Sequence, residues 1–447
     1  MKRRDFFTTA AFAGGALILG TGCVRKIEKN PANSDVPLAT GSEAATFVTE
    51  PQRQIPVFAQ TDVLVIGGGP AGTAAAIAAS KTGASTWLIE RYNHLGGLWT
   101  GGEVLPLLST HAIDKNHKKK QVIYGLGDEM WQRLKSLDMS ISEVNPVIDP
   151  EAGKFVLEEM IIESGVKVLY HTYATNVIMN GNTIQGVFIE NKSGRAAILA
   201  KIVVDCTGDG DIFHLAGDNY EKMNYHIGLV HRLGNIDRIN PNKPGYVKYP
   251  VGGKTPVPGV NWVNMHGKDD QDGTDALTLS NLQVEYRQQI WKDYKKMKQT
   301  PGYEDVYILD TASQLGVRMS RILEGEYKLT LEDTMSFKKF DDVIGISGAW
   351  TNMLYKGKKV ATSDRPLWQI PLRSLIPKKT DALIVAGRCF CFEKELAEDT
   401  RIIGTCLITG HGAGVAAGLA VKERQNVRDL DLKKLEKELL AQNVYLG

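Results

Sequence analysis

Thr61-Asp62-Val63-Leu64-Val65-Ile66-Gly67-Gly68-Gly69-Pro70-Ala71-Gly72 is the stretch whose reading decides the fold. Its first half is a continuous apolar run rich in β-branched residues, the pattern of a strand buried on both faces of a parallel sheet. Thr73 to Ser80 follows as a strong helix former ending near Gly83. Ser85-Thr86-Trp87-Leu88-Ile89 then reads as a second strand that terminates in Glu90. Each part has a physical job. Gly67 permits a tight turn, Gly69 lets backbone approach a pyrophosphate, and Gly72 lets the helix pack closely on the strand. Pro70 and Ala71 open that helix, whose free N–H groups and positive dipole end suit a diphosphate. Glu90 stands where a carboxylate accepts both hydroxyls of a ribose. The spacing predicts a dinucleotide site.

The fingerprint alone does not separate one dinucleotide from another. The segment after Glu90 reads Arg91-Tyr92-Asn93-His94-Leu95-Gly96-Gly97-Leu98-Trp99-Thr100-Gly101-Gly102. An acid, a basic residue and a Gly-Gly turn in this order resemble the glutathione-reductase-type flavoproteins. That resemblance implies FAD, with Arg91, Gly96 and Gly97 near it. Downstream, the spacing predicts a three-stranded antiparallel unit across 167–199, with turns at Asn180-Gly181-Asn182 and Ser193-Gly194. An apolar strand over 200–205 then enters Cys206-Thr207-Gly208-Asp209-Gly210-Asp211. In the resembled proteins such a β-meander interrupts the Rossmann unit and a Thr-Gly-Asp turn closes on the cofactor. This implies roles for Ala174 at the adenine and for Thr207, Gly208 and Asp209. A further buried strand, Asp381 to Val385, runs into Ala386-Gly387-Arg388. Arg401-Ile402-Ile403-Gly404-Thr405-Cys406 opens a small-residue helix whose N-terminus would face the flavin pyrimidine edge and stabilise negative charge there. Gly387, Arg388, Gly404 and Thr405 are accordingly expected at the cofactor. Gly410-His411-Gly412-Ala413-Gly414 follows no strand and is read as helix packing rather than a phosphate loop.

From Asp62 to Gly447 the chain resembles the bacterial FAD-dependent oxidoreductase family, which shares the general fold of fumarate reductase flavoprotein subunits. The resemblance is carried by Gln314 to Ile322 with Gly325-Glu326-Tyr327, by Lys339-Phe340-Asp341-Asp342, by Ile370 to Pro377 and by Ala386-Gly387-Arg388. The expected class is α/β: a Rossmann-type FAD-binding domain, a parallel sheet plus β-meander, with an inserted α+β cap or substrate domain. The expected boundaries are 60–225 and 375–447 for the FAD-binding parts and 226–374 for the insert. Within the insert 280–298 and 317–322 look helical and 240–258 looks like loop. FAD is expected to be non-covalent; His94 before the Gly-Gly turn invites a histidyl link, but covalent relatives place that histidine differently.

The N-terminus is read as residues 1–23 of export signal and 24–60 of flexible linker. Lys2-Arg3-Arg4-Asp5-Phe6-Phe7 before a short apolar run resembles a twin-arginine signal, a route that carries folded proteins. Cys23 after Leu19-Gly20-Thr21-Gly22 resembles a lipoprotein processing site, although Gly20 stands where an aliphatic residue is usual. These features imply the twin-arginine machinery as a partner, membrane attachment through a lipid on Cys23, and a periplasmic or cell-envelope location. The formal charge of the 447 residues is +2, and Lys2, Arg3 and Arg4 against Asp5 supply it. A nucleic-acid partner is not suggested. Cys206, Cys389, Cys391 and Cys406 form no CxxC pair and have no histidine at zinc spacing, so no metal site is expected. Cys389 and Cys391 read as buried thiols, with a redox pair as the alternative.

Hydride transfer needs a substrate carbon near the flavin and a group that moves a proton. Arg401, just before the flavin-facing helix, leads the catalytic candidates, followed by Arg318 and His411. Arg318 and Arg321 on a short helix would by default be solvated or paired with Glu324 and Glu326. His411 reaches either the cofactor region or a helix-packing position. His231 and His266 are candidate bases. A second dinucleotide unit is not found, so electrons are expected from a small-molecule substrate or from a membrane quinone or redox partner. An electron relay without a substrate and a non-catalytic binding lipoprotein are the competing readings.

Overall fold

The computed structural model describes residues 50–113, 119–264, 267–348, 354–355, 358–359 and 367–447. The expected export signal with Arg3, Arg4 and Cys23, most of the expected linker, and His266 lie outside them.

The strand of the opening fingerprint is β1 (Val57–Ile66), which begins four residues earlier than the apolar run suggests. Val63, Leu64 and Val65 are fully buried. β2 (Thr86–Ile89) lies on one side of β1, and β3 (Lys167–Leu169) lies beyond β2, both parallel. On the other side runs β6 (Gly194–Asp205), and outside it β7 (Leu383–Val385), again parallel. The order β3-β2-β1-β6-β7 is the Rossmann order of a doubly wound sheet. Register brings Ile66, Ile89, Leu169, Asp205 and Val385 to one edge. The loops after all five strands therefore open on the same side, where such sheets bind ligands.

β6 also resolves the meander. Its first half, Gly194 to Leu199, pairs antiparallel with β5 (Thr183–Asn191), which pairs with β4 (Tyr173–Asn180). Its last three residues pair with β7. The antiparallel unit is thus β4-β5-β6, and the 167–169 segment expected to belong to it is the parallel edge strand. One uninterrupted strand serves both layers, which the split at residue 200 had missed.

Helix α1 (Pro70–Lys81) is alanine-rich and buried over Ala71 to Ala79. It packs against α4 (Ile403–Glu423), whose residues 403–420 are all buried. α4 is long and apolar enough to cross a bilayer, yet it is the central core helix here. Its glycines explain the fit. A Cβ on Gly410 would lie 2.1 Å from the Ala71 carbonyl oxygen and one on Gly414 2.2 Å from that of Ala75. The 410–414 glycines are thus a packing stripe.

Between β6 and β7, Gly253–Lys254, Asn261–Val263, His231–Gly234 and Tyr307–Thr311 form an antiparallel sheet, and α3 (Ala276–Lys298) crosses beside it. The 317–322 segment is not helical. Gly316–Val317 pairs with Tyr225–Gly228, and Arg321–Leu323 pairs with Tyr220–Lys222. Pairing with the Tyr220–Lys222 and Tyr225–Gly228 edges satisfies this segment's backbone and overrides a helical pattern only six residues long. Arg318 and Arg321 therefore do not share a helical face. Val343–Ser347 and Trp368–Pro371 pair antiparallel, and their Ile344, Trp368 and Ile370 join the same core as α1 and α4.

Candidate functional site

The loops at the C-terminal sheet edge and a wall drawn from residues 228–321 enclose a cavity of about 910 Å³, within the range of cofactor sites. Gly67, with φ +96°, turns the chain; a Cβ there would meet the Cys206 carbonyl oxygen at 2.5 Å. A Cβ on Gly72 would fall 1.7 Å from the Gly67 carbonyl oxygen, so Gly72 sets the helix-to-strand approach rather than lining the cavity. Gly69 is different: apart from its chain neighbours, no atom lies within 4 Å of its Cβ position. Its open side, facing the first turn of α1, is the space a pyrophosphate requires. A Cβ on Gly97, whose φ is +49°, would meet the Gly69 Cα at 3.0 Å.

Glu90 is buried, and its carboxylate is held by the turn itself. The Gly68 amide donates to Oε2 at 2.6 Å and the Tyr92 amide to Oε1 at 2.8 Å. Arg91 lies over the rings of Tyr92 and Tyr173, at 5.0 and 5.9 Å. With Ala174 these residues form one end of the cavity.

The turn after β6 is organised by Asp205, a residue the sequence reading left as a strand end. Its carboxylate accepts from the Thr207 amide and hydroxyl at 3.0 and 2.7 Å and from the Ile212 and Phe213 amides at 3.0 and 3.1 Å. Burial pushes its pKa up to about 6 against these donors. Asp209 is then fixed from three sides. Arg388 and the Ser320 hydroxyl each donate to its Oδ1 at 2.7 Å, and Arg321 donates to its carbonyl oxygen at 2.8 Å. Burial would raise the Asp209 carboxyl, but Arg388, Ser320 and Arg91 outweigh it and hold the pKa below the ordinary value. Arg321 also pairs with Asp211 at 3.0 Å, while Glu326 pairs with Arg428, so the expected Glu324 and Glu326 partners are replaced.

At the other end stand Arg401, Ile402, Ile403 and Cys406, where the first turn of α4 reaches the cavity. Arg401 pairs with Glu398, whose second oxygen accepts from the Tyr225 hydroxyl at 2.6 Å. Arg318 lines the cavity nearby. Burial and the Arg401 charge lower its pKa.

Gly67, Gly69, Pro70, Ala71, Glu90, Arg91, Gly97, Ala174, Thr207, Gly208, Asp209, Arg318, Gly387, Arg388 and Arg401 thus share one cavity wall. Several expected site residues serve behind it. A Cβ on Gly96 would meet the Thr100 side chain at 2.5 Å, and one on Gly404 would meet Ile123 at 2.4 Å. The Thr405 hydroxyl donates to the Asp399 carbonyl at 2.9 Å. His411 is buried against Gly125 and lies 3.1 Å from Gln442, with its pKa lowered to about 4 by burial. It is a packing residue with no access to a substrate in the cavity. His94 lies 3.2 Å from the Gln314 side chain, beside Gly101 and off the cavity wall. His231 is likewise off the wall, and burial lowers its pKa to about 4. Cys206, Cys389, Cys391 and Cys406 are buried free thiols whose pKa values burial raises.

Residues 62–228 and 237–439 match the family described as FAD dependent oxidoreductase. The chain belongs to that family. The family's cofactor is FAD, held non-covalently, and the cavity fits it. The open Gly69 side suits the pyrophosphate, Glu90 the ribose, and Ala174 the adenine end. Arg388 and Arg401, whose buried Nε atoms have no partner among the described residues, line the remainder. Digeranylgeranylglycerophospholipid reductase of Picrophilus torridus is 26% identical over 254 residues, 54% of this chain and 62% of that protein. Thiamine thiazole synthase of Metallosphaera sedula is 29% identical over 177 residues, 37% of this chain and 61% of that protein. This FAD-dependent oxidoreductase therefore spans about three fifths of the length of these curated relatives. Among solved structures, a geranylgeranyl bacteriochlorophyll reductase-like protein from Thermoplasma acidophilum has a TM-score of 0.41 at 14% identity, covering 86% of this chain and 87% of that one.

Proposed function

We propose that this FAD-dependent oxidoreductase oxidises or reduces a small organic molecule, bound between the flavin end of the cavity and a cap formed by the 226–374 segment. The observation that carries this reading is the second wall. Val230, Trp262, Leu279, Gln283 and Leu315 extend the cavity beyond the cofactor turns, a surface that a bare electron relay does not need. Bound FAD supplies reversible hydride acceptance. The chain's contribution is to hold the pyrophosphate on the Gly69 turn, to fix the ribose with Glu90, and to place Arg401 and the positive end of α4 where negative charge develops.

The reading includes export in the folded, cofactor-loaded state through a twin-arginine route and a lipid on Cys23 at the cell envelope, supported by Lys2 to Phe7 and by Cys23 after its small-residue run. Anaerobic titration of the oxidised protein tests the enzyme reading. Bleaching of the flavin by a sugar, hydroxy acid or amine supports it. Bleaching by a membrane quinol or reduced partner protein alone replaces it with a relay. Cys23→Ser tests the anchor: the protein should leave the membrane fraction, and a variant that stays there overturns lipid attachment.

A further inference from the structure

Among the described residues five arginines line the cavity, and four are engaged by neighbours. Arg321 bonds the Asp209 carbonyl and Asp211, Arg388 pairs with Asp209, Arg401 pairs with Glu398, and Arg91 lies over two tyrosine rings. Arg318 makes no hydrogen bond, ion pair or ring contact among the described residues. No carboxylate among the described residues pairs with it. Glu398 spends one oxygen on Arg401 and the other on the Tyr225 hydroxyl, so one carboxylate faces two guanidinium groups. Asp269, the other acid that acts on Arg318, pairs with His226 at 2.8 Å on the exposed side. A half-buried cation without a counter-charge is costly unless an anion completes it.

We propose that Arg318 receives the anionic group of the substrate, an organic carboxylate or phosphate ester whose apolar body lies along Val230, Trp262, Leu279 and Leu315. The planar guanidinium offers a two-pronged donor to either group. Arg401, tied down by Glu398, stays at the start of α4, so the two cations divide their tasks: Arg318 takes the substrate's charge, and Arg401 faces the reacting end. Gln283, whose Nε2 is buried without a partner among the described residues on the same wall, offers a further donor for the substrate body. This assignment deepens the flavoenzyme reading and rests on it.

The test is ligand binding to the purified holoprotein, read from perturbation of the oxidised flavin spectrum. Acetate, benzoate and phenyl phosphate are titrated beside acetamide and benzamide. At least one anion should perturb the spectrum saturably while the amides do not; benzoate against phenyl phosphate tells carboxylate from phosphate chemistry. Arg318→Gln should weaken that anion roughly 10- to 100-fold, and Arg318→Lys should restore part of the loss. Flavin content should stay unchanged in both, which shows that they fold and that Arg318 does not hold FAD. Amides binding as well as anions, no anion binding, or an unchanged affinity in Arg318→Gln overturns the proposal. Loss of flavin in Arg318→Gln overturns it in favour of a cofactor role. A wild-type protein without a flavin spectrum defeats the underlying reading instead.

Discussion

The Gly68 and Tyr92 amides donate to opposite oxygens of the buried Glu90 carboxylate, so one side chain shapes the phosphate turn and presents an acceptor to the ribose. Glu90→Gln replaces one acceptor with a donor that faces an amide. Its FAD Kd should rise roughly 10- to 100-fold, measurable by flavin fluorescence on dilution; an unchanged Kd removes Glu90 from the site. Asp205→Asn should cost about 2–4 kcal/mol in urea unfolding, because an amide cannot accept from all four donors now shared by the carboxylate. A third buried acid sets a pH dependence. Glu103 lies near Arg232, which also pairs with Asp149 and Asp310. Burial first, and then Asp310, push the Glu103 pKa to about 8 against the pull of Arg232. The folded state therefore binds more protons than the unfolded one between the ordinary value and about 8. The stability linked to Glu103 is fully present below that window, falls as pH rises through it, and is gone above it. The contribution is on the order of a few kcal/mol. Glu103→Gln should flatten that slope between pH 5 and 9, and an equal slope in both proteins would contradict the assignment.

At the scale of elements, the α1–α4 contact couples packing to the cofactor turn. Gly410 touches the carbonyl of Ala71, a residue of the cavity wall. Gly410→Ala should cost about 1–3 kcal/mol and weaken FAD, since α1 must move. Gly181→Asn, in an open turn at φ +58°, should change stability by less than about 0.5 kcal/mol. Thermal unfolding with and without FAD checks both. The same elements mark the limits of the sequence. β1, α1 and β2 were legible because strand, glycines, helix and acid repeat a local pattern in one register. Val317 to Ile322 was misread because its pairing with Tyr220 to Gly228 is a tertiary event that six residues cannot announce. β6 was divided because a strand with one antiparallel and one parallel neighbour on the same edge shows no change in local pattern.

Across the whole molecule, the cavity is closed by turns near residues 69, 90, 208, 388 and 402, distant in sequence and brought to one sheet edge by register. The cofactor turns could be read from their glycines and acids. The partners that hold them, Asp205, Ser320 and Glu398, could not, because a polar side chain that fixes a turn carries no signature until its hydrogen-bond partners are placed. The choice between a catalytic and a packing His411 was hidden for the same reason: a histidine within a helix does not reveal which face the core will claim. A ligand that binds all these turns stabilises only the folded chain, so added FAD should raise the unfolding temperature of stripped protein. The central claim is tested most directly by the absorption spectrum of the purified folded protein before and after denaturation. The expected result is an oxidised flavin spectrum with about one flavin per chain, released on denaturation as intact FAD. A colourless protein that takes up no FAD, or one that releases a different nucleotide, would contradict it.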